Sequence, residues 1–265
     1  MKSKAAKTLG LIAIAIALVV ATVLTTLAFL ASSSAVSNTF SIGNITMSIN
    51  ESKVDDDGNA LSYPDGVKKD SPGNNYTLVP GKTCDKDPTI YVEPDSVKSL
   101  LFIKVRNQIE TIEYGNFLPE DEILPNSDEE KLTIREQMAR HGWQIVGKND
   151  SGEVYVFSGN LDNTLVSADK LAEIKDETRF APATIIPSKK ALQSFDIFDT
   201  FTIDNKADNL QIYKGAKVTI TAFSIQAAEF TDEGSDANKE EVTNAWNAIV
   251  DEFPFESGAI TTAGE

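Results

Sequence analysis

Thr39-Phe-Ser-Ile-Gly-Asn-Ile-Thr-Met-Ser-Ile-Asn50 alternates polar with apolar residues, the period of a strand that buries one face. The apolar phase shifts once, from Phe40 and Ile42 to Ile45, Met47 and Ile49. One extra residue at Gly43-Asn44, a β-bulge, restores a single inward face for all five side chains. The same pattern recurs downstream. Residues 89–93 and 100–109 read as strands, the second with Leu101, Ile103 and Val105 on one face and Lys104 and Arg106 on the other. Residues 143–146 and 154–157 flank a turn-rich stretch and read as a hairpin. Residues 195–203 and the Val-, Ile-, Thr- and Phe-rich run 217–227 predict two more strands. Between the first strand and these, residues 51–75 are rich in Asp, Gly, Asn, Pro and Lys and read as a long exposed loop.

Helices enter this pattern as insertions. Ser127 and Glu130 have capping-box spacing ahead of Leu132, Ile134 and Met138, which predicts a helix over about 128–140. Ser167 is placed to cap a shorter helix carrying Leu171 and Ile174. Val242, Trp246, Ile249, Val250 and Phe253 form a stripe at helical period, so a helix after Ser235 or Asp236 should lie against the sheet and end before Pro254. Strands separated by turns, with occasional helices and no fixed repeat, define a mainly β fold, an antiparallel two-sheet sandwich. The expected organisation is a leader at residues 1–35, a single domain at 36–256 and a flexible tail at 257–265.

The amino terminus sets the compartment. Lys2, Lys4 and Lys7 precede an apolar run from Leu9 to Leu30, and the small residues 31–35 follow. The length of the run suits a membrane anchor, whereas Ser33 and Ala35 suit a signal peptidase cutting before Val36. Either way, lysines ahead of the run keep that end inside and send the rest outward. Residues 1–35 hold three of the 24 basic side chains and no acid, so the remainder carries 21 basic and 40 acidic side chains, a net charge of −19. A field of that sign repels nucleic acid and anionic lipid.

Catalytic chemistry is scarce. One His and one Cys exclude a His-rich zinc site, a redox pair and an internal disulfide. Cys84 reads as a small buried hydrophobe and His141 as a solvent-facing or capping residue. Asp55, Asp57 and Asn59 open like a calcium loop, but Ala60 and Gly66 stand where that loop needs Gly and Glu, leaving at most a looser cation site. Carboxylate pairs such as Glu120/Glu122 and Glu129/Glu130 define no separation between their carboxyls. No nucleophile elbow, phosphate loop or dinucleotide fingerprint is present. No cofactor, metal or catalytic residue is expected.

Three ordered segments carry a resemblance. They are the apolar leader followed at once by residues 38–49; Leu78-Val-Pro-Gly-Lys-Thr-Cys-Asp-Lys-Asp-Pro-Thr89; and Val218-Thr-Ile-Thr-Ala-Phe-Ser-Ile-Gln-Ala227 with Asn244-Ala-Trp-Asn247. Together they resemble the TasA/camelysin family of exported Firmicute proteins, which are processed by a SipW-type signal peptidase. The resemblance implies a jelly-roll domain and assembly into extracellular biofilm-matrix fibres, in which the mature amino-terminal strand of one subunit completes a sheet in the next. Phe40, Ile42, Ile45, Met47 and Ile49 are then the assembly strand, and the partner is the protein itself or a related subunit. A signal peptidase acts during export, and membrane contact is confined to the leader. No residue matches the zinc motif that a camelysin-like protease activity needs. A monomeric surface binding module is the second reading, and a camelysin-like metalloprotease the third.

Overall fold

The computed structural model describes residues 40–41, 45–63, 67–114, 131–149, 152–176, 178–231 and 234–250. All of them belong to the unit Ser37–Glu265; Met1–Val36 is a separate unit and lies outside the described residues. In chain order the strands are β1 (Phe40–Ser41), β2 (Met47–Asn50), β3 (Thr83–Asp85), β4 (Thr89–Val92), β5 (Ser99–Asn107), β6 (Trp143–Asn149), β7 (Gly152–Phe157), β8 (Ala183–Thr184), β9 (Gln193–Asp196), β10 (Thr200–Thr202), β11 (Val218–Gln226) and β12 (Asp236–Ala237). The helices are α1 (Ile134–Arg140), α2 (Ala168–Lys175) and α3 (Lys239–Val250).

The fold is mainly β, with several antiparallel sheets. The largest has the order β1-β11-β5-β7-β6, antiparallel except for its β1–β11 pair, and a second has the order β2-β4-β9. Two small ladders, β3–β10 and β8–β12, complete the set. Alternation along β5 explains the layering. Leu101, Ile103 and Val105 join the core facing the second sheet, where Met47, Ile49, Ile90, Val92 and Phe195 meet them. Phe157 lies between the layers, its ring 5.1 Å from Trp143 and 5.0 Å from Phe195. The opposite face of β5 begins with Leu100 and Phe102, and α3 covers it with Val242, Ala245, Trp246 and Ile249. Trp246 sits 5.4 Å from Phe102 and 5.6 Å from Phe223, an arrangement in which tilted rings add to area burial. The polar Lys104 and Arg106 continue that face beyond the apolar patch.

Local signals place the helices. Asn238 Oδ1 accepts from the amides of Glu240 and Glu241, and Glu241 accepts from the Asn238 amide, so α3 starts at Lys239. Ser167 caps α2 as expected. For α1 the expectation is displaced. The capping box is Thr133 with Glu136, and the helix runs only over Ile134–Arg140, burying Ile134 and Met138. Ser127 and Glu130 lie outside the described residues, as do Phe253 and the tail 257–265.

Two expectations are corrected and a third is refined. Residues 195–203 are not one strand: the Asp199 and Thr200 amides both donate to Gln137 Oε1, which breaks the ladder and sends β9 and β10 to different sheets. Residues 51–75 are a loop, exposed at most of its described positions as expected, but it is pinned to the body. Glu51, Ser52 and Ser71 are buried, Glu51 bridges to Ser71, and Lys86 Nζ lies 2.6 Å from Glu51 Oε2. Ser52 donates from its amide and hydroxyl to Asp87, so polar pairing holds a segment too poor in apolar residues to hold itself. Finally, the amino-terminal stretch 40–49 is not a single bulged strand, because β1 and β2 belong to different sheets.

Candidate assembly site

Of the five residues expected to form one assembly strand, the four that are described are parted. Met47 stands opposite Val92 and Ile49 opposite Ile90, antiparallel on β4. They and Ile45 are buried, at 7%, 6% and 2% exposure, so these three belong to the protein's own core. Phe40 lies in β1 instead, paired in parallel with Phe223 as Ser41 is with Ser224. Ile42 lies outside the described residues.

Among the described residues, that division leaves one edge largely unpaired. All nine residues of β11 pair with β5 on one side. On the other, β1 pairs with Phe223 and Ser224 alone, and among the described residues no other strand pairs with that edge. Val218, Thr219, Ile220 and Thr221 precede the paired residues, and none of the four is buried. A row of strand amides and carbonyls of this kind is a template for a further strand. Ala222 and the partly buried Val218 and Ile220 pack toward the inter-sheet core, so a strand added here would extend a sheet whose inner face is already apolar.

Titratable groups cluster elsewhere. Glu113 is 2% exposed; burial pushes its carboxyl up to about 7, although the amide of Asn107 and the N–H of Ile134 donate to it. Burial and the adjacent Glu153 raise the Tyr155 hydroxyl, which donates to Glu153. Arg135 pairs with both Glu110 and Glu153. Nothing in the sequence marks Glu113, since the helix whose first residue, Ile134, donates to it begins 21 positions further along the chain. His141 is the C-cap of α1, with Nε2 2.9 Å from Asp199 Oδ2, and is buried rather than solvent-facing. Cys84 is buried and free, its thiol raised chiefly by desolvation.

Among the described residues, the remaining acidic candidates form no site. Asp55 accepts from the amides of Asp57 and Asn59 and from the Asn59 side chain, so its carboxylate serves a local turn. Among the described residues, no group of three or more His, Cys, Asp or Glu is placed to hold a metal ion. Glu120, Glu122, Glu129 and Glu130 lie outside those residues.

No family model, curated protein or solved structure matches the chain. Among the described residues no helix is long and apolar enough to cross a membrane.

Proposed function

We propose that the protein is an exported, non-enzymatic structural subunit of an extracellular surface or biofilm-matrix fibre, built on a jelly-roll-like sandwich. Each subunit donates its amino-terminal segment to a sheet of the next. The observation that carries this reading is the outer edge of β11, paired with β1 over two of its nine residues. A two-residue parallel pairing is held by few hydrogen bonds, so exchange for the same segment of another copy has a small cost. The donor in this reading is narrower than residues 40–49. It ends near Ser41, because Met47 and Ile49 fill the subunit's own core. Phe157, packed edge-to-face against Phe195 across the two sheets, supports the sandwich.

Electron microscopy of folded protein beginning at Val36, beside a form lacking residues 36–41, tests the reading. Fibres from the first and a folded monomer from the second are expected. A synthetic 36–43 peptide should cap growth of the intact protein. Salt should speed assembly, since subunits of net charge −19 repel and screening acts over about 10 Å at 0.1 M. Fibres that form equally well without residues 36–41 overturn strand donation.

A further inference from the structure

Beside β6, the edge strand opposite β1, the described residues line a partly open cavity of about 260 Å³ between α1, α2 and α3. Its floor is apolar and aromatic: Trp143, Val242 and Trp246 are buried there, with Ile145 and Phe180 beside them. Its rim is cationic. Arg135, Lys175, Arg179 and Lys239 line it against only Glu136 and Asp176, an excess of two positive charges in a chain of net charge −16.

Three of the four cations have acidic neighbours. Arg135 pairs with Glu110 and Glu153, Lys175 lies 3.9 Å from Glu136, and Arg179 lies 3.5 Å from Asp176. Lys239 has no ion-pair partner among the described residues. It is also the first residue of α3, where the helix dipole disfavours a cation. Glu240 and Glu241 share that turn but do not line the cavity. An unpaired lysine in an unfavourable place, above an aromatic floor, is complementary to an anion with an apolar body.

We infer that this cavity binds a small amphipathic monocarboxylate, its apolar body against Trp143, Phe180 and Trp246 and its carboxylate at Lys239 and Arg179. Scaling from the ~150 Å³ cavity that holds benzene, the volume suits a ligand of roughly ten non-hydrogen atoms. The proposal does not depend on fibre assembly.

The protein's two tryptophans, Trp143 and Trp246, both line the cavity, so intrinsic fluorescence reads its occupancy directly. The full folded protein is titrated with 3-phenylpropionate, with the neutral 3-phenylpropionamide and with the cationic 3-phenylpropylamine. A saturable change with the acid, weaker by roughly tenfold or more with the amide and absent with the amine, is expected. Lys239→Gln should weaken the acid by a similar factor while leaving Tm unchanged or raised, an outcome that a merely structural lysine would not produce. Thr243→Phe, at a partly exposed position on the wall, should block binding with the fold retained by circular dichroism. No saturable change with the acid, or equal affinity for acid, amide and amine, overturns the proposal. So does a Lys239→Gln protein that binds the acid as tightly as the original.

Discussion

Phe40 stands opposite Phe223 in parallel register, whereas Met47, seven residues later, stands opposite Val92 in antiparallel register in a different sheet. The two halves of one alternating stretch thus do different work. Residues through Ser41 add two pairings at an edge, and residues from Ile45 supply core. Removing residues 36–41 should leave a cooperatively folding body, with urea unfolding shifted by about 1–2 kcal/mol through lost pairing. Ile49→Ala, by contrast, should cost about 2–5 kcal/mol, since it opens a cavity between the sheets. Equal losses for the two changes would show that β1 is as integral as β2.

Glu113 makes stability depend on pH. Its carboxyl titrates near 7 when folded, above its ordinary value of 4.5, so the folded state holds the proton more tightly than the unfolded state. Protonation therefore stabilises the fold. This contribution is full below about 4.5 and is lost as pH rises through 7. Comparing Glu113→Gln with the original by urea titration isolates it. Between pH 4 and pH 8 the difference in stability should move toward the variant by on the order of 3 kcal/mol. A difference that stays level across that range would refute a perturbed Glu113.

Lys86 and Glu51 form a buried pair, with side chains 11% and 5% exposed and the Lys86 ammonium 5.7 Å from the centre of the Tyr76 ring. Lys86→Met should cost about 3–5 kcal/mol because Glu51 would be left buried and charged. Hydrogen exchange at Ser71, whose amide donates to the Glu51 carbonyl, should quicken with it. Replacing the more exposed Lys53, which pairs with Asp70 in water, should change stability by less than about 1 kcal/mol.

Cys84 lies against Gly58, whose added Cβ would come within 2.8 Å of Sγ. The thiol is buried and its ionisation is disfavoured, so a thiol reagent should label it at least about a hundredfold more slowly in the folded protein than in urea. Prompt labelling of the folded protein would contradict its burial. Gly58→Ala should destabilise through both the contact and the positive φ of 79°.

Features set by neighbours along the chain are legible in the sequence by itself. The cap at Ser167, the stripe Val242, Trp246 and Ile249, and the alternation of Leu101, Ile103 and Val105 follow from hydrogen bonds and periods spanning a few residues. A period of two says that one face is buried, but not in which sheet, and so 40–50 and 195–203 each read as one strand although their tertiary partners divide them. Gln137, more than sixty residues away in sequence, breaks the second stretch by taking the amides of Asp199 and Thr200. Long-range contact likewise decides the chemistry. Glu113 is shifted because tertiary packing buries it, against the opposing hydrogen bonds from Asn107 and Ile134, and the cation-rimmed cavity exists only where three helices meet at β6. Composition determined the sign of the protein's charge; burial and proximity, which no local pattern encodes, decided where that charge is reversed.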